Sequence, residues 1–337
     1  MTAPLPSPSP GPPGDPPREA RLPLGPPFLI ADPAAARRDL TLLRRALAAA
    51  GVVAEAAVAR PVERAGGIAA QALEDGHRLL VAVGSDRLVH AVLRVLVDPG
   101  GPRWPDAVLG LAGLGRQDLS ATFGLPDEPE KLARHLLGPN QFQVDVGRAR
   151  WRGPDGTERV GVFVNTAELG YPAEVSARAP GGPGGGVGGS VGMVPRWTGR
   201  ARRVGRLAAA VGGLVASRST PARLEVDHTA VDLRLAGLVV ANGQFSMGRM
   251  KVAPRALPDD GRLSVLAFQG EPLGIYARSK DLYYGLHVPH PSVREYQSRR
   301  VAVDTAEPMA LVLDGWRAAG GPPVRIDVME RALRVKV

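Results

Sequence analysis

From Phe28 onward, short apolar runs alternate with segments whose apolar residues recur at helical spacing, and this alternation restricts the folds open to the chain. The runs at 28–30, 79–83 and 108–111 are almost purely apolar, whereas 39–50 has a period near 3.6. Continuous apolar strands joined by helices are typical of a parallel sheet covered on both faces. Further strands are predicted at 52–59, with helices at 68–74, 88–97 and 129–137.

After about Asn140 the pattern becomes β-rich, with turn sequences such as Asp259-Asp260-Gly261 between the apolar segments. Strands are predicted at 141–151, 160–165, 222–226, 231–241, 263–268, 300–305, 309–313 and 324–328. The fold class is therefore α/β plus β, with an N-terminal doubly wound parallel-sheet domain and a C-terminal mainly antiparallel β domain. We place the domains at 28–139 and 140–325, and we expect 326–337 to be able to return to the first domain.

Two segments lack the patterns of folded structure. Residues 1–27 hold eleven of the 33 prolines and show no apolar periodicity, which predicts a disordered tail. Residues 181–192 are rich in glycine and are interpreted as a flexible loop.

Composition excludes several kinds of chemistry. The 337 residues contain no cysteine, which rules out disulfide frameworks, thiolate zinc sites and cysteine nucleophiles. No apolar run approaches the roughly 20 residues that span a bilayer, and the N-terminus lacks the features of a signal peptide. A cytoplasmic location is expected.

Two strands of the first domain run directly into polar, glycine-containing turns before helices. Gly84-Ser85-Asp86-Arg87 follows the strand at 79–83, and 112–119 follows the strand at 108–111. Such turns can bind phosphate through backbone N–H groups and the helix dipole, although any strand–helix loop has this general form. Neighbouring loops of this kind would form one pocket.

The positive charge is concentrated in one segment. Between residues 175 and 224 there are eight arginines and no acidic residue, which nearly accounts for the net charge of +9. Apolar residues such as Trp197 and Leu207 alternate with arginines here, an arrangement suited to an anionic lipid surface or to a solvated basic helix. Nucleic acid is a poorer explanation because no aromatic stacking platform accompanies the charge. The arginines proposed to contact anionic lipid at the inner membrane face are Arg196, Arg200, Arg202, Arg203 and Arg206.

The order of these motifs resembles the diacylglycerol kinase catalytic family, which includes bacterial lipid kinases and sphingosine and ceramide kinases. The resemblance covers the chain after its tail. The matching segments, in the family's order, are Asp32-Pro33, 79–93, 109–126, 165–175, Asn242-Gly243, 253–263, 285–287 and Leu313-Asp314-Gly315.

The resemblance implies an ATP site with Mg²⁺ between the domains and an amphipathic lipid, or a lipid-like alcohol, as acceptor in the β-rich domain. It assigns catalysis to Asp86 and Asp314, and it makes Asp260 a candidate metal ligand. The implied nucleotide-binding residues are Asp32, Gly84, Ser85, Asp86, Arg87, Leu88, Gly113 and Gly115.

The sequence departs from the family's pattern at the positions that carry the chemistry. Ser85 and Arg87 replace glycines of the phosphate loop, and Gln117 replaces an asparagine of the second loop. Trp316 occupies the position of a glutamate beside Asp314. Arginine in a phosphate loop restricts backbone approach but adds a charge that phosphate can use.

Three functions follow from these residues. The first is ATP-dependent phosphoryl transfer to a lipid hydroxyl, which depends mainly on positioning and charge neutralisation. The second is a catalytically inactive protein on the same fold that binds a lipid, a nucleotide or a protein partner. The third is an enzyme whose acceptor is a small metabolite.

Overall fold

The computed structural model describes residues 24–115, 117–178, 211–277 and 279–336. Most strands in these ranges belong to one 15-stranded sheet that runs through both parts of the molecule. Up to residue 140 the elements are β1 (Phe28–Ala31), α1 (Asp39–Ala49), β2 (Glu55–Val58), α2 (Ala65–Glu74), β3 (Leu79–Val83), α3 (Asp86–Leu96), β4 (Val97–Asp98), β5 (Gly101–Pro102), β6 (Val108–Ala112), α4 (Asp118–Thr122) and α5 (Pro129–Leu137).

The first part is a parallel sheet in the order β2-β1-β3-β6 with helices on both faces. Alternate residues of β1 enter different cores, because successive side chains of a strand point to opposite faces. Leu29 packs with α1 and α5, whereas Ile30 packs with α2 and α3. The predicted doubly wound α/β architecture is confirmed.

The second part is mainly antiparallel, also as predicted, and its strands enclose a separate apolar core around Phe163 and Leu238. Its elements are β7 (Gln141–Arg152), β8 (Glu158–Phe163), β9 (Thr166–Gly170), α6 (Tyr171–Arg178), β10 (Thr220–Val226), β11 (Thr229–Ala241), β12 (Leu263–Gln269), α7 (Pro272–Ala277), α8 (Ser279–Tyr284), β13 (Val293–Ser298), β14 (Arg300–Thr305), β15 (Leu311–Leu313), β16 (Trp316–Arg317) and β17 (Gly321–Lys336). Residues 211–216 are also helical.

The long strand β17 connects the two parts. It pairs antiparallel with β7 and β14, and its residues Arg334 to Lys336 pair in parallel with β6 of the first sheet. A bulge interrupts the β7 pairing near Arg331, whose backbone N–H donates to Asp145 Oδ1 at 2.8 Å. Asp145 also accepts from Gly261 N at 2.7 Å, so one buried carboxylate fixes the bulge and a neighbouring turn.

Several element boundaries differ from the sequence-based expectation. The strand predicted at 160–165 ends at Phe163 as part of β8, and residues 164 and 165 lie between β8 and β9, where their N–H groups donate to a side chain, as described below. Strand β13 was not predicted, since its polar residues interrupt the apolar pattern. No helix in the described ranges is long and apolar enough to cross a membrane. The glycine-rich loop, the five membrane-directed arginines and most of the tail lie outside these ranges.

Candidate functional site: a cleft lined by aspartate clamps

The loop after β3 is closed by an aspartate from the loop after β1. Gly84 has φ = +146°, and a Cβ atom there would lie 2.4 Å from Asp32 Oδ2, so only glycine fits. Asp32 Oδ2 accepts from Ser85 N at 2.9 Å, and its Oδ1 accepts from Ala35 N at 2.8 Å. The buried Asp32 carboxylate therefore binds a backbone N–H group that the sequence predicts to bind phosphate.

Asp86 joins this loop to the second one. Its carboxylate accepts from Asp118 N at 2.9 and 3.0 Å and from Leu119 N at 3.3 Å, which satisfies N–H groups in the first turn of α4. Burial and the negative charge of Asp118 raise the pKa of Asp86 well above its ordinary value. The structure thus brings together the two loops that the sequence predicts to share one pocket.

The second loop is filled from within by Gln117. This fully buried side chain donates from Nε2 to Ala82 O at 2.9 Å and accepts from Ser120 Oγ at 2.6 Å. A Cβ atom at Gly113 would lie 2.8 Å from Gln117 Cβ, which shows how closely the side chain packs on the loop. Gly115, at φ = +82°, makes the turn farther along the loop.

Asp118 extends this network into the second part of the molecule. Met247, Gly248 and Arg249 all have positive φ, and the N–H groups of the last two donate to the Asp118 carboxylate. Consecutive left-handed residues create a concave set of N–H groups that suits an anion. Here an internal carboxylate fills it. Gly248 is the one residue of this turn whose type indicates a turn in the sequence.

Asp314 is the fourth aspartate, after Asp32, Asp86 and Asp118, whose carboxylate binds backbone N–H groups of another loop. We call these four side chains the aspartate clamps. Its buried carboxylate accepts from the backbone N–H groups of Val164, Asn165 and Thr166 at 2.8, 2.8 and 2.9 Å. His90 Nδ1 of α3 lies 3.3 Å from Asp314 Oδ2. The predicted catalytic carboxylate is therefore held between the two parts of the molecule, and it separates β8 from β9.

Trp316 and Arg87 are held against each other. The indole Nε1 donates to Arg87 O at 2.9 Å, and Arg87 Cζ lies 4.4 Å from the centre of the indole ring, a cation–π contact. The guanidinium also binds Glu63 Oε1 at 2.9 Å. Arg87 is thus engaged by protein groups, while the next residue, Leu88, lies in the apolar core.

A buried glutamate that sequence reasoning missed lies on β9. The hydroxyl groups of Thr166 and Ser246 donate to Glu168 Oε1. Burial raises the pKa of Glu168 to about 7, and hydroxyl groups including that of Ser176 limit the rise. Its signal in the sequence is a single acidic residue inside an apolar strand.

Asp260, the predicted metal ligand, makes its hydrogen bond outside the network of the four aspartates. Asp260 Oδ1 accepts from Arg262 N at 2.9 Å in an exposed turn. No group of three or more acidic or imidazole side chains placed to hold a metal ion occurs in the part of the chain that the structure describes. The turn-forming role of Asp260 is therefore the one that its contacts display.

A parallel-sheet domain whose loops are hydrogen-bonded to an antiparallel β domain defines the two-domain architecture of this chain. The diacylglycerol kinase catalytic domain matches residues 28–149, and the YegS C-terminal NAD kinase beta sandwich-like domain matches residues 192–337. The chain belongs to the diacylglycerol kinase family and is lipid-kinase-like.

Solved structures share this fold at low sequence identity. A putative diacylglycerol kinase from Bacillus anthracis str. Sterne superposes with a TM-score of 0.67 at 18% identity, covering 92% of this chain and 96% of that one. A diacylglycerol kinase from the same organism gives a TM-score of 0.65 at 16% identity with the same coverage. No curated protein matches the chain.

Proposed function

We propose that this chain is a lipid-binding member of its family whose cleft does not transfer phosphate from ATP. The observation that carries the proposal is the hydrogen bond from Ser85 N to Asp32 Oδ2, at 2.9 Å. It commits a donor of the phosphate loop to a carboxylate of the same chain. A lipid is the ligand class because the family is defined by lipid kinases.

Charge strengthens this argument. Two like charges about 4 Å apart repel by about 4 kcal/mol at the effective dielectric constant of a protein surface. A phosphate group beside Gly84 would meet the Asp32 carboxylate, which lies where a Cβ atom of residue 84 would be. In their observed arrangement these residues do not fit the phosphates of ATP.

The groups expected to carry catalysis are also committed. A general base must reach the hydroxyl proton that it accepts. The Asp314 oxygens are directed at three backbone N–H groups and at His90. Trp316, at the position of the family's glutamate, neither accepts a proton nor binds Mg²⁺.

Calorimetric titration with Mg·ATP tests the closed loop. We expect no binding by the parent up to millimolar ATP, and measurable binding by Asp32→Asn, because the amide removes the negative charge at similar size. Asp75→Asn removes the same charge at an exposed helix end and should behave as the parent. Micromolar binding by the parent would overturn the proposal.

ATP-dependent transfer to a lipid hydroxyl is the second candidate, and one observation favours it. The raised pKa of Asp86, next to the loop, is a property that general bases use near neutral pH. An assay with diacylglycerol and sphingoid acceptors separates the two functions. Turnover by the parent would establish the kinase.

Restoring the family's residues gives a stricter test of inactivity. Trp316→Glu restores the family's candidate base, and Arg87→Gly restores a glycine of the phosphate loop. In this double variant Asp32 still binds the loop. We therefore expect this double variant to remain inert and the triple variant with Asp32→Asn to gain activity, because residues that act as a unit are non-additive. Activity in the double variant, in which Asp32 is unchanged, would show that Asp32 does not close the loop.

A further inference from the structure

A pocket of about 490 Å³ opens in the β-rich part of the molecule. It is lined by Arg255, Val288, Pro289, His290, Pro291, Val293 and Glu295, none of which belongs to the cleft clamps. Four of the seven lining residues are apolar, and three polar side chains enter the pocket. A concave site of this size that combines apolar walls with a few polar groups is a usual form of small-ligand site.

The walls of the pocket are fixed from two sides. His287 Nε2 bonds to Val252 O at 2.8 Å, which ties the segment that carries Val288 to His290 onto the loop that carries Arg255. Arg255 Nη1 in turn donates to Glu295 Oε2 of β13 at 2.9 Å. The backbone of the site is therefore held in place before a ligand arrives, which lowers the entropic cost of binding, while the Arg255 side chain can move.

Glu295 leaves one acceptor unused. Its side chain is 11% exposed, and Oε1 is buried with no hydrogen-bond partner in the described part of the chain. Burying an unpaired carboxylate oxygen is costly, so a donor that reached it would be favoured. Arg255, whose side chain is 67% exposed, binds the other carboxylate oxygen of Glu295 and is the lining side chain with most room to move into solvent.

The other polar groups are donors. Arg255 keeps Nε and Nη2 beyond the atom that binds Glu295. Ser292 N donates to His290 Nδ1 at 3.0 Å, which makes Nδ1 the acceptor and puts the ring proton on Nε2. The pocket thus pairs a cationic donor set with an anionic acceptor, and its own charges nearly cancel.

We propose that this pocket binds the head group of a phospholipid that carries a primary ammonium next to its phosphate, as phosphoethanolamine does. The phosphate binds the Arg255 guanidinium, which moves outward with it. The ammonium then donates to Glu295 Oε1. A quaternary ammonium has no N–H to donate, and a head group without a cation leaves Glu295 unpaired.

Exposed apolar side chains beside the pocket favour a lipid within a bilayer over a soluble head group. Leu257 and Leu286 are 53% and 71% exposed, and each lies two residues from a lining residue. A Cβ atom at Gly285 would lie 3.3 Å from Pro254 Cβ, so the segment before Leu286 packs on the Arg255 loop. These side chains can enter the acyl layer while the head group occupies the pocket.

The inference deepens the proposed lipid-binding function, and its test needs no nucleotide, so either can fail alone. We expect the parent to sediment with vesicles of phosphatidylethanolamine and phosphatidylcholine at least tenfold more tightly than with phosphatidylcholine alone. Soluble phosphoethanolamine should compete at millimolar concentration, whereas ethanolamine or inorganic phosphate should not. Glu295→Gln should abolish the tenfold preference.

Arg294→Gln is the matched control, because Arg294 is exposed on β13 between two lining residues and points to the other face. It should keep the full preference. Leu286→Ser should weaken vesicle binding severalfold without changing competition by the soluble head group, and thermal unfolding checks that each variant is folded. Equal binding to both vesicle types, or binding only to anionic phosphatidylglycerol vesicles, would overturn the proposal. Binding of free phosphoethanolamine without vesicle binding would overturn its bilayer part.

Discussion

The cleft and the pocket differ in how their buried carboxylates are hydrogen-bonded. Around the cleft, four aspartates meet backbone N–H groups of neighbouring loops: Asp32, Asp86, Asp118 and Asp314. In the pocket, Glu295 Oε1 is buried without a donor. The four aspartate carboxylates bind backbone N–H groups that join separate loops, whereas the carboxylate in the pocket keeps one oxygen without a donor among the described residues.

This difference is the basis of both proposals about ligand binding. A loop that presents N–H groups can bind phosphate only if no internal anion binds them first. The diacylglycerol kinase fold is kept here, and the internal carboxylates act as structural ties between its loops. A fold does not fix an activity, so the proposed function is tested at these ties.

The largest effect is expected from removing a clamp. Asp314→Ala leaves three buried N–H groups without an acceptor, and we expect it to lower the free energy of unfolding by about 4 kcal/mol. Chemical denaturation measures the change. Asp304→Ala, at an exposed position of β14, should change it by less than about 0.5 kcal/mol. Similar losses at both positions would break the comparison between clamp and surface.

Glu168 sharpens the comparison through pH. Its pKa is about 7 in the folded protein against an ordinary 4.5, so the unfolded state releases the proton first as pH rises. The contribution of Glu168 to stability is therefore fully present below about pH 4.5 and is lost as pH rises through about 7, by about 3 kcal/mol in total. Glu168→Gln should lack this part of the decline. The control Glu307→Gln, which is exposed, should retain it.

Gly84 tests the close approach of Asp32. An alanine Cβ would collide with the Asp32 carboxylate at a strained positive φ, so we expect Gly84→Ala to cost about 2 kcal/mol. Gly67→Ala, in α2 with nothing within 4 Å of the new Cβ, should instead stabilise by about 0.5 kcal/mol. Thermal and urea unfolding of both variants give the two signs.

The smallest effect belongs to the pocket. Glu295→Gln breaks an ion pair whose arginine is mostly exposed, and it leaves an uncharged amide of similar size in its place. We expect a change in unfolding free energy of less than about 1 kcal/mol. A loss as large as that of Asp314→Ala would mean that Glu295 is a structural clamp, and the contrast between the two regions would disappear.

Much of the fold was predictable from residue patterns. The purely apolar run at 79–83 could only be a strand buried on both faces, and it is. The break at residues 164–165 was not predictable, because the carboxylate that binds the N–H groups of residues 164–166 belongs to Asp314, about 150 residues away. Long-range hydrogen bonds of this kind leave no local signal.

The sequence predicted where the site lies but not how its side chains are arranged. The sequence indicates two glycine-containing loops that follow neighbouring strands, and the structure brings them together through Asp86. The contact between Asp32 and Ser85 depends on a left-handed φ at Gly84 and on strand register. Glu295 was invisible as well, since β13 itself was not recognised as a strand.

The pairing of β17 with β6 has a consequence for how the molecule is made. The strand that extends the first sheet beyond β6 lies more than two hundred residues downstream of it. During synthesis, the α/β part emerges first but leaves one edge of β6 unpaired until that strand arrives. Unpaired strand edges attract other chains. We therefore expect the nascent protein to depend on chaperones until the edge of β6 is covered.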